Sequence, residues 1–372
     1  MTDSTPLRRL VVKVGTSVLT GGSTHLDPRR MLTLVQQIAE VHERGTAAVL
    51  VSSGAVAAGR GLLNSPDRGL TIPTKQMLAA IGQPRLMHLY ADLFEIFSLR
   101  VAQVLLTRSD FRSKQRSFNA RDTITALLSQ GVIPIINEND TIATDEIRLG
   151  DNDNLSALVA NLIEADLLVL LTDQPGLFTT DPRTDPNARL ISTVERIDRE
   201  VWDSAGGVGS AVGTGGMITK LQAAQLATRG GTAVVIAQGS RPGVLLDLLG
   251  PRGHAVGTWF EPSTTHVERR QRWILSEAPQ GRIHIDAGAA STLRSSTANL
   301  LPVGMTAVEG RFERGVVVGI LGPDGIEVAR GVTSYPSEAL EQICGLHSDL
   351  IEARLGYTYG NAVVRRDYLV IL

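Results

Sequence analysis

As far as residue 250, the chain alternates short apolar runs with longer amphipathic stretches, and this alternation constrains the fold more than any other feature. The runs are rich in Val, Ile and Leu and carry no polar face, which is typical of parallel strands covered by helices on both sides. They span residues 10–14, 47–51, 101–106, 132–136, 167–171 and 233–237. The repeated strand–helix order predicts an α/β fold, a three-layer sandwich with a mostly parallel central sheet.

The stretches between these runs repeat apolar residues at helical spacing. They predict helices over residues 28–44, 74–97, 119–130, 154–165 and 217–229. Asp27 and Pro28 stand at the start of the first helix, in the N-cap and first helical positions that favour these residue types. In such sheets ligands bind beyond the carboxyl ends of the strands, so functional residues are expected just after the runs.

After residue 262 the pattern changes to short strand candidates separated by turns. The candidates cover residues 282–286, 305–312, 316–321, 327–331 and 362–366, with a short helix expected over 337–345. Gly-Pro-Asp-Gly at 322–325 is a strong turn signal. We therefore expect a first domain over 1–262, a linker over 263–277 and a small, mostly-β domain over 278–372.

Charge and cysteine content exclude several classes of protein. The chain carries 36 basic and 38 acidic residues, so nothing in its net charge of −2 favours nucleic acid or an anionic membrane. Cys344, as the one cysteine, can form neither an intrachain disulfide nor a cysteine-rich zinc site. The apolar runs are far shorter than the roughly 20 residues that a membrane-spanning helix needs. We expect a soluble, cytoplasmic protein with no metal site of its own.

Lysine is rare in this chain. Four lysines, Lys13, Lys75, Lys114 and Lys220, stand against 32 arginines. Lysine presents a compact charge on a flexible stem, which suits contact with a single phosphate oxygen, whereas arginine presents a planar fork. A lysine in such a chain is therefore a candidate for a position where arginine cannot act.

Two of these lysines lie in loops suited to phosphate. Lys13 ends the first predicted strand, and Gly15 and two hydroxyl residues follow it, which brings a cation, backbone N–H groups and hydroxyls together. The glycine-rich segment 206–217 leads into a helix whose first turn carries Lys220. No Walker A motif is present, and the dinucleotide fingerprint fails because Val212 stands at its third glycine. The two lysines could contact opposite sides of a transferring phosphoryl group.

Runs of Asn and Asp follow the fourth apolar run. Residues 137–140 are Asn-Glu-Asn-Asp, and residues 150–154 are Gly-Asp-Asn-Asp-Asn, just before an apolar helix. Such residues suit a zwitterion, because Asp accepts from an ammonium group and Asn donates to a carboxylate. A calcium loop starting at Asp151 would need Glu at its twelfth position, where Leu162 stands. We therefore favour substrate binding or catalysis over a polar turn.

Small or polar residues also follow the second and fifth runs. Ser53-Gly54-Ala55 leads into a helix, where close backbone approach and a helix start would favour an anion. Thr172-Asp173 could hold a nucleotide base or ribose. By themselves, both segments fit an ordinary turn equally well.

Taken together, these segments resemble the amino acid kinase family, and the C-terminal part is similar to a PUA domain. The likeness is carried by residues 11–22, 53–55, 137–140, 150–157, 171–173 and 213–220, and it covers nearly the whole chain. It implies ATP-dependent phosphorylation of the γ-carboxylate of L-glutamate to γ-glutamyl phosphate, the first step of proline biosynthesis. It also implies feedback inhibition by proline and a homo-oligomer, either dimer or tetramer. Mg²⁺ would be held mainly by the nucleotide phosphates.

The same resemblance implies a role for each matching residue. Lys13 and Lys220 would stabilise the transferring phosphoryl group, and Asp153 would orient them. Glutamate would be bound by Ser53, Gly54, Ala55, Asn137, Asp140, Asp151 and Asn152. ATP would be bound by Lys13, Gly15, Thr172, Asp173, Thr214, Gly215, Gly216, Met217, Ile218, Thr219 and Lys220.

Two other functions stay open at this stage. A related kinase on the same sheet could act on N-acetylglutamate, aspartate, carbamate or a nucleoside monophosphate. The second is an RNA-binding or RNA-modifying protein whose kinase-like half is a scaffold, because PUA domains are similar to RNA-binding modules of RNA-modifying enzymes. Residues 261–372 hold 11 basic and 13 acidic residues, so counterion release would drive RNA binding little, and we do not expect RNA as a partner.

Overall fold

A computed structural model of the protein describes residues 7–63, 71–143, 152–206, 216–251, 253–295 and 298–372. The chain divides into two compact units. The first comprises Met1–Phe111 and Ala120–Thr265, and the second comprises Arg112–Asn119 and His266–Leu372. No helix within the described ranges is both long and apolar enough to cross a membrane.

The first unit is built on an eight-stranded sheet. Its strands are β1 (Arg9–Val14), β2 (Ala47–Ser52), β3 (Val101–Leu106), β4 (Ile133–Glu138), β5 (Leu167–Thr172), β6 (Thr193–Val194), β7 (Ala233–Gln238) and β8 (Thr258–Phe260). They lie in the order β3-β4-β2-β1-β5-β7-β8-β6, and all neighbours are parallel except β7 and β8. The predicted mostly parallel sheet is confirmed. Only the very short β6 and β8 lacked a sequence signal.

Helices cover both faces of this sheet. They span Thr16–Thr20, Pro28–Glu43, Ala55–Leu63, Ile72–Glu95, Arg108–Arg112, Lys114–Ser129, Asn152–Leu162, Arg199–Ser204, Met217–Arg229 and Val244–Leu248, with a 3₁₀ turn at Gly253–Ala255. Alternate residues of β1 enter different cores, because Leu10 and Val12 pack in one buried cluster and Val11 in another. Two cores on opposite faces of one sheet are what a three-layer sandwich requires.

Two helices that lead to the site pack unusually closely. A Cβ atom at Gly82, in helix Ile72–Glu95, would overlap the carbonyl oxygen of Ala55. A Cβ atom at Gly59 would overlap the carbonyl oxygen of Leu78 in the same way. Glycine at these positions lets the backbones touch, and this contact fixes helix Ala55–Leu63, which starts directly after Ser53 and Gly54.

The second unit contains a five-stranded sheet in the order β10-β9-β11-β12-β13. The strands are β9 (Arg282–Ile285), β10 (Met305–Glu309), β11 (Val317–Leu321), β12 (Glu327–Thr333) and β13 (Val364–Ile371). Its helices span His266–Ser276, Ala287–Ser295, Ser337–Ile343 and Ile351–Leu355, with 3₁₀ turns at Pro302–Gly304 and Ser348–Leu350. The expected small, mostly-β C-terminal domain is confirmed.

The segment predicted as a linker, 263–277, contains helix His266–Ser276. Ile274 of this helix is fully buried in a cluster with Phe118, Val317 and Tyr368, all of the second unit. The helix gave little sequence signal because it is rich in Arg and buries little besides Ile274. The limits 1–262, 263–277 and 278–372 stay a prediction.

Arg314 holds the segment Arg112–Asn119 within the second unit. Its guanidinium donates to Oδ1 of Asn119 at 2.6 Å and to the carbonyl oxygen of Ser334 at 3.1 Å. It also lies 3.7 Å from the ring centroid of Tyr359 and 4.9 Å from that of Phe118. Only 4% of Arg314 is exposed, so these bonds and ring contacts replace the water it loses.

Candidate active site

Four adjacent strands present the predicted site residues at one edge of the sheet. In the order β4, β2, β1 and β5, their carboxyl ends lead to Asn137, Ser53, Lys13 and Thr172. All four strands are parallel, so their ends meet at the same edge, where α/β sheets bind ligands. The order puts the predicted glutamate residues on one side of Lys13 and the predicted ATP residues on the other.

A buried carboxylate joins the two candidate catalytic lysines. Nζ of Lys13 lies 2.7 Å from Oδ1 of Asp153, and Nζ of Lys220 lies 3.3 Å from Oδ2. The side chain of Asp153 is completely buried, and each lysine side chain is 6% exposed. Two ammonium groups against one carboxylate leave one positive charge in excess, which can attract a phosphoryl oxygen.

The pKa shifts follow from this arrangement. Burial opposes ionisation of Asp153, but the neighbouring ammonium groups of Lys13 and Lys220 outweigh it, and the pKa of the carboxyl is lowered. Burial lowers the pKa of Lys220, and repulsion by Lys13 adds to this, against the attraction of Asp153. The lowered pKa of Asp153 keeps the carboxylate ionised at neutral pH, so it holds both lysines in place.

Thr219 lies in the last of the predicted ATP-binding segments and contacts the cluster of Lys13, Asp153 and Lys220. Its hydroxyl lies 2.7 Å from Oδ2 of Asp153 and 2.8 Å from the carbonyl oxygen of Gly216, with geometry for donation to either. Gly216 is the N-cap of helix Met217–Arg229, which therefore points its start at the lysines. Met217 and Ile218 lie half-buried in its first turn. Thr214 and Gly215 lie outside the described residues.

The loop after β1 approaches Lys13 closely. A Cβ atom at Gly15 would lie 3.5 Å from Nζ of Lys13, so any longer side chain there would fill space beside the ammonium. Gly15 is also the N-cap of helix Thr16–Thr20. The glycine thus keeps the surroundings of the ammonium open on that side.

Asparagine and serine side chains form a second, adjoining cluster. Nδ2 of Asn152 donates to Oγ of Ser53 at 2.9 Å and to Oδ1 of Asn137 at 3.0 Å. Asn152 and Asn137 are 0% and 1% exposed. Asn152 immediately precedes Asp153 at the start of helix Asn152–Leu162, so one helix start carries a residue of each cluster.

Asp140 lies just beyond β4 and is 7% exposed. Burial raises the pKa of this carboxyl to about 6. Gly54 has φ +113°, a left-handed conformation that favours glycine, and Ala55 starts the following helix. Asp151, also predicted to bind glutamate, lies outside the described residues.

Thr172 and Asp173 lie at the end of β5, on the far side of Lys13 from the asparagines. The hydroxyl of Thr172 donates to Oδ1 of Asp173 at 2.9 Å. Nε2 of Gln238, at the end of the neighbouring strand β7, reaches the carbonyl oxygen of Asp173 at 3.5 Å. These contacts hold the end of β5 in a defined shape next to the lysine cluster.

Two family models match the chain. The model described as "Amino acid kinase family" matches residues 8–238, and the model described as "PUA domain" matches residues 281–355. The chain belongs to the amino acid kinase family. The first match includes every predicted site residue, from Lys13 to Lys220.

Relatives within the amino acid kinase family are similar over their whole length. A glutamate 5-kinase of Deinococcus radiodurans is 54% identical over 98% of this chain and 100% of its own. Glutamate 5-kinases of Sodalis glossinidius and of Enterobacter sp. strain 638 are each 50% identical, covering 97% and 100% of this chain and 98% and 100% of their own. The predicted family is therefore confirmed, and so are its two domain types.

The sequence did not identify three residues of this amino acid kinase that support the site through hydrogen bonds to its strand ends. Gln76, Gln83 and Tyr90 all lie in helix Ile72–Glu95. They contact the ends of β4 and β2 through hydrogen bonds. Their spacing of seven residues places them on one helix face, a signal that the sequence contains but that is also common among ordinary surface residues.

Proposed function

We propose that this chain transfers the γ-phosphoryl group of ATP to the γ-carboxylate of L-glutamate, giving γ-glutamyl phosphate in the first step of proline biosynthesis. The observation that carries the proposal is the buried cluster of Lys13, Asp153 and Lys220 between two sets of polar strand ends. The names of the relatives and the match to the amino acid kinase family support the same activity.

The lysine cluster suits in-line phosphoryl transfer. A carboxylate oxygen of the substrate forms a bond to the γ-phosphorus, the bond from phosphorus to the β–γ bridging oxygen breaks, and its electron pair leaves with ADP. The γ-carboxylate is already ionised at neutral pH, so it needs no general base. Lys13 and Lys220 neutralise charge on the transferring oxygens, and Asp153 and Thr219 hold the ammonium groups in position.

We assign glutamate to the residues on one side of Lys13 and ATP to the residues on the other. Asp140 would accept from the ammonium group of glutamate, and Ser53 and Asn152, with Gly54, Ala55 and Asn137 in support, would bind its carboxylates. Thr172, Asp173, Gly15 and the start of helix Met217–Arg229 would bind ATP. From the sequence alone, we add Asp151 to the residues proposed for glutamate, and Thr214 and Gly215 to those proposed for ATP.

We assign Mg²⁺ to the nucleotide rather than to a protein site. Across the part of the chain that the structure describes, no group of three His, Cys, Asp or Glu side chains could hold a metal ion. Asp153 is the buried carboxylate nearest the lysines, and both of its oxygens already face ammonium groups. A cation that arrives with the phosphates, keeping oxygen ligands from them and from water, fits this set of residues.

Regulation and assembly extend the proposal. We propose that proline, as the end product, inhibits the chain, that the chain forms a dimer or tetramer, and that it works in the cytoplasm. RNA is not a proposed partner, because the C-terminal residues 261–372 carry more acidic than basic side chains.

A hydroxamate assay tests the activity. Purified protein is incubated with ATP, Mg²⁺ and hydroxylamine, which traps an acyl phosphate as a hydroxamate, and L-glutamate is compared with N-acetylglutamate, aspartate, carbamate and nucleoside monophosphates. We expect hydroxamate and ADP to form with L-glutamate. ADP release with N-acetylglutamate, aspartate or a nucleotide but not with L-glutamate would overturn the substrate assignment.

A further inference from the structure

One face of helix Ile72–Glu95 makes three contacts, two with residues proposed to bind glutamate and one with Ser52, which precedes Ser53. Nε2 of Gln76 donates to the carbonyl oxygen of Asp140 at 3.1 Å. Oε1 of Gln83 accepts from Nδ2 of Asn137 at 2.9 Å. The hydroxyl of Tyr90 lies 2.8 Å from Oγ of Ser52. We call Gln76, Gln83 and Tyr90 the brace.

The spacing explains how one helix can make all three contacts. The residues lie seven positions apart, which is close to two helical turns, so they point to the same side. Ala79 and Leu86, between them on this face, are buried. The brace therefore lies against the ends of β4 and β2 along its whole length.

The hydrogen bonds of the central contact have a fixed direction. Oδ1 of Asn137 accepts from the backbone N–H of Glu138 at 2.9 Å as well as from Nδ2 of Asn152. A backbone N–H can only donate, so the oxygen of Asn137 must face it, and the amide nitrogen of Asn137 must face Gln83. The amide of Gln83 has a matching orientation, since its oxygen faces Asn137 and its Nε2 donates to Oε1 of Gln103 at 3.1 Å.

The orientation of Asn137 also determines that of Asn152, which lies in the proposed substrate site. Because Asn137 presents its oxygen to Asn152, the Nδ2 group of Asn152 faces Asn137 and Ser53, and its oxygen faces the other way. Without an acceptor at position 83, the nitrogen of the buried Asn137 would lose its bond, and only the bonds of its oxygen would still fix the side chain next to Asn152.

We propose that the brace, and Gln83 above all, is a positioning element that sets the affinity for glutamate without touching it. This inference rests on the proposed function, because it concerns the same substrate site. It goes further by giving the supporting helix, in addition to the strand ends, a part in holding Asn137 and Asn152 in position. It assigns no role to the brace in binding ATP, because its contacts end at β4 and β2.

The test is the steady-state kinetics of Gln83→Met, which keeps the length of the side chain and removes its acceptor. We expect the KM for glutamate to rise roughly tenfold, the effect of one lost hydrogen bond to a buried group, with the KM for ATP unchanged. Gln76→Met, which frees the backbone at Asp140, should shift the same constant in the same direction. Gln36→Met, at an exposed position on another helix, is the matched control and should change neither constant.

Thermal unfolding separates positioning from general damage. An equal rise in both KM values, or a lower Tm with an unchanged KM for glutamate in both brace variants, would overturn the inference. If Gln83→Met does not fold, Gln76→Met provides the same comparison of the two constants. Failure of the unmodified protein to form hydroxamate with glutamate would instead refute the proposed function, so the two failures are distinguishable.

Discussion

Nζ of Lys13 lies 2.7 Å from Oδ1 of Asp153, whose side chain is completely shielded from solvent. Lys13 lies near the end of the first strand and Asp153 lies in the first turn of a helix much later in the chain, so the fold creates this ion pair. Breaking a buried ion pair by removing one partner typically costs about 3–5 kcal/mol, because the remaining charge is left without compensation. The pair is therefore a structural element as well as a proposed catalytic one.

Lys220→Arg tests whether the second ammonium is needed as such. The side chain is buried beside Lys13, and a guanidinium is wider than an ammonium and forms planar, forked bonds. We expect kcat to fall on the order of 100-fold or more although the charge is kept. Lys114→Arg, where the half-exposed lysine bonds Glu277 in the second unit, is the control and should keep normal turnover. Near-normal turnover of Lys220→Arg would refute the role of Lys220.

Thr219 provides a finer test of the same cluster. Thr219→Val keeps the shape of the side chain and removes the hydroxyl that lies 2.7 Å from Oδ2 of Asp153, within donating distance. A hydrogen bond to a charged group contributes about 1.5–3 kcal/mol, so we expect kcat to fall by about tenfold or more. Thr219→Ser, which keeps the hydroxyl, should restore most of the turnover. Equal loss in both variants would show that the methyl group, and not the hydroxyl, matters.

Glutamate affinity should depend on pH through Asp140. Burial raises the pKa of this carboxyl to about 6, so it is ionised above that pH and protonated below it. Only the ionised form attracts the ammonium group of glutamate. As pH falls from 7.5 to 5, the KM for glutamate should rise below pH 6 by up to about tenfold per pH unit, whereas the KM for ATP should not follow this step. Asp140→Asn should bind glutamate weakly at every pH and lack the step.

Gly82→Ala tests the close helix contact behind the site. Helix propensity alone predicts that this change stabilises the protein by about 1 kcal/mol. The added Cβ atom would overlap the carbonyl oxygen of Ala55, so we expect a loss of about 1–3 kcal/mol in urea unfolding instead. Ala80→Gly, at an exposed position of the same helix, measures the propensity effect there. A more stable Gly82→Ala variant would contradict the steric argument.

Much of the first unit was predictable because its strands are apolar on both faces. Strands β1 to β5 and β7 were found within two residues of their predicted limits. Helix Lys114–Ser129 starts five residues earlier than predicted, because its first residues are polar and show no apolar periodicity. Strands β6 and β8, with two and three residues, are too short for a periodic pattern to identify.

The residue types of the candidate site were also predictable, since scarce lysines and runs of Asn and Asp stand out in an otherwise apolar pattern. Their contacts were not. Nothing in the spacing of Lys13, Asp153 and Lys220 predicts that one carboxylate lies against both lysines. The supporting glutamines gave no distinct signal, because Gln76 and Gln83 resemble any polar residues of a surface helix.

The sequence by itself determined the sheet, its helical layers and the chemical character of the strand ends, because local periodicity and burial of apolar side chains act over short stretches of chain. Only the tertiary structure decided the strand order β4-β2-β1-β5, which places Lys13 between the two proposed substrate sites. It also decided the hydrogen bonds in which Asn152 donates to Asn137 and Asn137 donates to Gln83. Such bonds form only when the donor–acceptor distance between segments far apart in the chain is correct to within a few tenths of an ångström, and no local pattern encodes those distances.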